Sequence, residues 1–164
     1  MSDSRIHPQE KVADQNEALV SLSPNNEVFP LPSEQNYKDE YARLKKLVKS
    51  QKLKGREIVV VMGVGFVGAV MAGVVADVVD ADSGKSSKFV IGMQRPSTRS
   101  YWKIPYLNRG IAPVEAEDPE VVPLIRRCVK DKKTLIATFS YEALTFADVV
   151  IVDVQCDYYK ETFG

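Results

Sequence analysis

Glycines 63, 65 and 68 form the run G-V-G-F-V-G, directly after the apolar stretch Ile58 to Met62. A triplet with this spacing does its chemistry with backbone groups. The first glycine permits a tight turn, the second lets the main chain approach a diphosphate, and the third lets the following helix lie close to the strand before it. A helix that starts here also points free N–H groups and the positive end of its dipole at an anion. Gly63, Val64, Gly65, Phe66, Val67 and Gly68 are therefore the candidate cradle for the pyrophosphate of a dinucleotide. The competing reading is a purely structural turn. Because a bare glycine triplet is weak evidence, its setting between a buried strand and an apolar helix is what favours the nucleotide.

A dinucleotide site of this kind usually adds an acidic residue ~20 positions further on, where it accepts hydrogen bonds from the adenosine ribose. Here the next strand, Lys88 to Ile91 (KFVI), is followed by Gly92-Met93-Gln94-Arg95, without a carboxylate. The polar insertion Asp77 to Ser87 lengthens the loop before it. Gln94 is the candidate ribose contact. Arg95 stays open between a surface loop position and a contact to a 2′-phosphate, which would make the cofactor NADP. Other reactive side chains are sparse: Cys128 and Cys156 are the only cysteines, and His7 is the only histidine. Their spacing offers no metal site, and no His or Lys motif stands near Cys156 to activate it. No catalytic residue and no metal ligand are assigned.

These residues must be positioned by a domain that the remaining sequence can build. The chain has 164 residues, which suits one domain, and its 22 basic and 22 acidic residues give no net field toward nucleic acid or an anionic membrane. No apolar run reaches the length of a membrane span, and the polar N-terminus has no secretory signature, so a cytoplasmic protein is the default. Residues 1–33 hold four prolines among Asn, Ser, Gln and Glu and are expected to be an irregular or disordered leader. Residues 34–55 read as an amphipathic helix capped by Ser33, with Tyr37, Tyr41, Leu44, Leu47 and Val48 on one face. Its other face carries Lys45, Lys46, Lys49 and Lys52, a solvated surface rather than a phosphate patch.

Residues 56–164 read as the dinucleotide-binding domain. Strands are expected at Ile58 to Met62, Lys88 to Ile91, Thr134 to Thr138 and Val149 to Val154. Between them fall a helix from Phe66 to about Val79, a short helix broken by Pro105, a helix opened by Asp118-Pro119-Glu120, and a short crossover from Tyr141 to Ala147. Alternating strands and helices require a parallel sheet covered on both faces. The expected fold is a doubly wound, three-layer, Rossmann-like α/β domain with an added N-terminal helix.

From Glu57 to Tyr158 the chain resembles the first domain of the UDP-glucose/GDP-mannose dehydrogenase family, the nucleotide-sugar 6-dehydrogenases. VVVMGVGFVG is similar to the family's opening strand and turn, RSYWKIPYLNRGIAPVEAEDPEV to the segment with a proline–glutamate motif that includes Glu115, and FADVVIVDVQCD to its fourth strand. The resemblance implies NAD as cofactor and oxidation of a sugar C6 alcohol to a carboxylate in two steps through a thiol-linked intermediate. It also brings Val154 and Cys156 beside the nicotinamide, although Cys156-Asp157 replaces the family's usual Thr-Pro pair, and Met93-Gln94 replaces its ribose-binding aspartate. The family's nucleophilic cysteine and sugar site lie beyond this domain. By that comparison Gly164 falls before a linking helix and second domain, which implies a fragment, a truncated frame or a split subunit.

A nucleotide sugar is then a partner only if a second domain or subunit is supplied, an exposed apolar patch is expected on this half, and a homo-oligomer stays open. The alternative reading is a non-catalytic nucleotide-binding or protein-interaction module that has lost redox function. A complete short-chain oxidoreductase is disfavoured, because Tyr158-Tyr159-Lys160 lacks the Tyr-x-x-x-Lys spacing.

Overall fold

The computed structural model describes residues 19–154. In chain order the elements are β1 (Val20–Leu22), β2 (Val28–Pro30), α1 (Glu34–Lys52), β3 (Glu57–Met62), α2 (Phe66–Asp77), β4 (Lys88–Met93), α3 (Lys103–Asn108), α4 (Val121–Arg126), β5 (Leu135–Thr138) and β6 (Val149–Val152). A π-helical turn, Arg127–Asp131, extends α4, and a 3₁₀ segment, Tyr141–Phe146, joins β5 to β6.

Four strands form one parallel sheet in the order β5-β4-β3-β6. Successive side chains of a strand point to opposite faces, so a run of valines and isoleucines needs cover on both sides. One face, with Ile58, Val60, Phe89, Ile91 and Met93, buries Leu44 and Val48 of α1 and Ala143 of the 3₁₀ segment. The other face, with Val59, Val61, Val90 and Leu135, packs against Ala69, Ala72 and Ala76 of α2, Leu107 of α3 and Ile125 of α4. The three-layer, Rossmann-like α/β architecture expected from the alternation is the one observed.

Several local features differ from the expectation. Residues 20–30, assigned to the irregular leader, form an antiparallel hairpin of β1 and β2. Its short strands carry no periodic signal, because the hairpin is held from outside. Ser21 Oγ accepts from the Trp102 N–H at 3.2 Å, and the Tyr106 hydroxyl lies 2.9 Å from Ser23 Oγ and 3.0 Å from Glu27 Oε1. Arg109 pairs with Glu27 and lies over the Phe29 ring. Residues 1–18 of the leader lie outside the described residues.

Pro105 does not break α3. It occupies the first turn, where a helix has no use for the missing N–H. α2 stops at Asp77 because Val79 pairs with Ser86 in an isolated bridge. α4 starts at Val121, three residues after Asp118, whose carboxylate accepts from the Glu120 N–H at 2.9 Å. β4 extends to Met93, and β6 ends at Val152.

α1 begins as expected, with Ser33 and Asn36 forming a reciprocal capping box. Lys52 has a specific partner: it bonds Asp148 Oδ1 at 2.9 Å, while Asp148 Oδ2 accepts from the Ile58 N–H at 2.8 Å, tying α1 to the start of β3 and β6. An apolar surface is also present. Phe66, Val67, Met71 and Val74 on the outer side of α2 are exposed, as are Val149, Val150 and Val152 on the edge strand β6.

At the other end of α2, Asp77 accepts two hydrogen bonds from Arg127, at 2.9 and 2.8 Å, and pairs with Lys132 at 2.7 Å. The Arg127 fork, reinforced by Lys132, holds the Asp77 carboxyl far below the usual carboxylate range. A depressed folded value means the stabilisation is present above the unfolded aspartate value of ~3.9 and is lost as pH falls from there toward the folded value. Asp77→Asn should therefore lower stability by about 1–2 kcal/mol at pH 7, a figure kept modest by partial exposure. Urea denaturation of both proteins at pH 7 and at pH 3 should show the difference shrinking at the lower pH.

Candidate functional site

The parallel register brings the carboxyl ends of the strands level. Met62 lies opposite both Met93 and Val152, and Met93 opposite Thr138. The residues that follow, Gly63, Gln94 and Asp153, thus form one rim. From β3 the chain winds outward through β4 to β5, then returns to place β6 on the far side of β3. The strand order thus reverses beside β3, and the carboxyl ends at such a reversal are the position at which open α/β sheets take ligands.

The three glycines of the turn behave differently. Gly63 has φ +97°, and a Cβ there would lie 1.9 Å from the Asp153 carbonyl oxygen. A Cβ on Gly68 would lie 2.0 Å from the Gly63 carbonyl oxygen and 2.7 Å from Asp153 Oδ2. Both positions require glycine for the fold itself, since real Cβ atoms do not make such contacts. At Gly65 an added Cβ meets no protein atom within 4 Å, and φ is an ordinary −73°. Nothing in the protein demands glycine there. The open space over Gly65 is the room that a closely approaching ligand needs.

The start of α2 is unsatisfied in the same place. Gly65, its N-cap residue, has no side chain to cap the helix, and no acid occupies the first turn. The N–H groups of Gly65, Phe66 and Val67 find no acceptor among the described residues. α1, by contrast, closes its first turn with Ser33 and Asn36. An uncapped helix start, a clear approach over Gly65 and a position at the strand reversal together fit a pyrophosphate group.

Gln94 has a role that the sequence did not reveal. Its Oε1 accepts from the Val64 N–H at 3.0 Å, and its Nε2 reaches Arg95 O and Ser100 Oγ, each at 3.4 Å. The amide thus splints the glycine turn to the end of β4. Val64 is fully buried and takes up the space above Gly92, where a Cβ would lie 2.7 Å from Val64 Cγ1. Phe66 and Val67 are exposed at the start of α2, Arg95 is exposed just beyond Gln94, and Val154 is exposed after β6. Cys156 lies outside the described residues.

Asp153 was not singled out from the sequence. Its carbonyl oxygen abuts Gly63, its carboxylate abuts Gly68, and its N–H donates to Met62 O at 2.8 Å. The available signal was its place at the end of a β-branched run. Glu115 is brought near the turn: with Phe66 and Val70 it lines a depression of about 400 Å³. A larger concavity, about 610 Å³, follows the opposite edge of the sheet along β5 and is lined by Lys54, Lys130 and Lys133. It contains none of the candidate site residues.

The chemistry present is that of binding. Cys128 is buried against α2, and burial, with Asp77 nearby, pushes its thiol up to about 11, which leaves it protonated and inert. No group of three or more His, Cys, Asp or Glu residues able to hold a metal ion occurs among the described residues. No described helix is long and apolar enough to cross a membrane.

No protein-family model matches the sequence, and no curated protein matches it. Among solved structures the chain is similar to the NDP-N-acetyl-D-galactosaminuronic acid dehydrogenase from Methanosarcina mazei Go1, with 30% identity and a TM-score of 0.55. The match covers 71% of this chain and 22% of that one, so this chain spans about a fifth of that enzyme. In fold and in sequence, over its Rossmann-like α/β domain, the chain resembles the nucleotide-sugar dehydrogenases.

Proposed function

We propose that this domain holds a nicotinamide dinucleotide for a nucleotide-sugar dehydrogenase, in which a further domain or subunit supplies the sugar site and the catalytic groups. The observation that carries this reading is the turn from Gly63 to Gly68, with its free N–H groups and the clear space over Gly65 at the strand reversal. Gly65, Phe66 and Val67 donate backbone hydrogen bonds to the pyrophosphate, and the dipole of α2 favours its charge. Gln94 keeps the turn in register through Val64. When bound, the nicotinamide accepts a hydride from the substrate alcohol. The resemblance supports NAD as that cofactor and a UDP-sugar C6 alcohol as the substrate.

The domain's own contribution is to bind and orient. Cys128, the described cysteine, has the wrong burial and protonation for a nucleophile. Trp102 stands in the segment after β4, where its Nε1 donates to Arg99 O at 3.0 Å, and it offers a fluorescence reporter close to the site. Titration with NADH or NADPH should give saturable binding by calorimetry and a change in Trp102 emission. Mixtures of the chain with NAD and UDP-glucose should produce no NADH. Turnover by this polypeptide alone would overturn the proposed division of labour. A folded chain that binds neither reduced dinucleotide would favour the non-catalytic reading, in which the absent ribose carboxylate reflects lost redox function.

The glycines give a sharper test. Gly65→Val should fold with a stability close to that of the parent, because its side chain enters open space, yet should lose dinucleotide binding by about tenfold or more. Gly68→Ala should destabilise the domain by several kcal/mol, because the contact at 2.0 Å is with backbone that cannot yield without moving β3 or α2. Thermal denaturation and calorimetry on the two variants separate the effects. Equal losses of stability would show that Gly65 serves the fold.

A further inference from the structure

The turn after β4 carries two guanidinium groups that the fold does not use. Arg95 and Arg99 are exposed, and among the described residues neither side chain donates a hydrogen bond or joins an ion pair. Four other described arginines are committed, Arg43 to Glu40, Arg109 to Glu27, Arg127 to Asp77, and Arg56 to Gln51 and neighbouring carbonyls, while Arg126, likewise uncommitted, stands on α4 away from the turn. The backbone beneath the two free groups is fixed. Arg95 O accepts from Ser100 Oγ at 3.2 Å, Arg99 O accepts from Trp102 Nε1 at 3.0 Å, and Ser97 O accepts from the Ser100 and Tyr101 N–H groups. The Ser97 and Ser100 hydroxyls lie 2.7 Å apart within the same turn.

This turn is joined directly to the glycine cradle, because Gln94 spans from Val64 to Ser100. A dinucleotide with its pyrophosphate over Gly65 directs its adenosine ribose to the end of the second strand of the unit, which here is β4. An unmodified ribose diol is held there by a hydrogen-bond acceptor, usually a carboxylate. Residues 92–99 contain no Asp or Glu, and the Gln94 amide oxygen, a weaker acceptor than a carboxylate, already takes one bond from the Val64 N–H. What the turn offers instead is donors: two guanidinium forks with the hydroxyls of Ser97 and Thr98 between them. Planar forks of this type match a phosphate dianion and contribute most where no carboxylate competes for them.

We propose that the site selects the 2′-phosphorylated dinucleotide, NADP(H), over NAD(H), with Arg95 and Arg99 receiving the 2′-phosphate. This inference rests on the reading of Gly63 to Gly68 as a dinucleotide cradle, and it departs from the NAD that the family resemblance implies.

The test is calorimetric titration of the 164-residue chain with NADPH, NADH and 2′,5′-ADP, alongside the double variant Arg95→Ala/Arg99→Ala. NADPH should bind about tenfold or more tightly than NADH, and 2′,5′-ADP should compete with it. The double variant, with both changes at exposed positions, should lose that preference while its NADH affinity stays within about twofold. The preference should also weaken as salt is raised, since it rests on exposed charges. NADH binding as tightly as NADPH, or equal weakening of both by the double variant, would overturn the selection of the 2′-phosphate and leave the cradle standing. If a folded chain binds neither NADH nor NADPH, the cradle itself is wrong and this inference falls with it.

Discussion

The contact between the glycine turn and the end of β6 governs the geometry of this domain. Gly63 passes so close to Asp153 that a single added carbon would lie 1.9 Å from a carbonyl oxygen, and Gly68 lies as close to Gly63. Strand and turn meet backbone against backbone, with only the Asp153 carboxylate reaching in beside Gly68. Because this approach fixes where α2 leaves the sheet, it also fixes where its free N–H groups point. The Asp153 N–H bond to Met62 O and the Gly63 N–H bond to Met93 O hold β6, β3 and β4 level at the same point. The aim of the free α2 N–H groups is therefore a consequence of backbone packing, with the Gln94 amide as the side-chain splint on the turn.

The hydrophobic layers serve this arrangement. α2 presents Ala69, Ala72, Gly73 and Ala76 to the sheet and α4, a small-residue face that lets the helix lie close. Gly73 is held to this by Leu124, 3.2 Å from where its Cβ would be. Bulkier residues at these positions would lift the helix and carry its N-terminus away from the strand ends, so tight packing and the orientation of the N–H groups are one requirement. At the far end, the pairing of Asp77 with Arg127 and Lys132 anchors the same helix to the π-helical turn. On the opposite face Lys52 and Asp148 tie α1 to the strand starts. The carboxyl ends, where a ligand would enter, are left clear.

The outer surface of α2 and the edge of β6 do not share this economy. Exposed Phe66, Val67, Met71 and Val74 stand on the helix, and valines stand on both faces of β6. Edge strands that face water are usually blunted by charge or proline, and β6 is neither charged nor interrupted between Val149 and Val152. At the other edge of the sheet the Asn108 amide caps β5, donating to Ala137 O at 3.0 Å and accepting from the Ala137 N–H at 2.7 Å.

Much of this was legible in the sequence because it is local or periodic. The β-branched run before Gly63, the spacing of the glycines, the Ser33 cap and the alternation of strands with helices each follow from preferences that a residue expresses among its chain neighbours, and together they gave the parallel sheet and the turn. The rest depended on partners far apart in the chain. The β1–β2 hairpin gains its place only from Trp102, Tyr106 and Arg109, some 80 residues away, so its own few residues carry no signal. The bond from Val64 to Gln94 exists only once the sheet brings β4 beside the turn, and Asp153 reads as the end of a strand until β6 is placed beside β3. The identity of the three glycines was fixed by sequence alone. Which of them the fold requires, and which leaves space for a ligand, was decided by the tertiary structure, because only the return of β6 places atoms against Gly63 and Gly68 and none against Gly65.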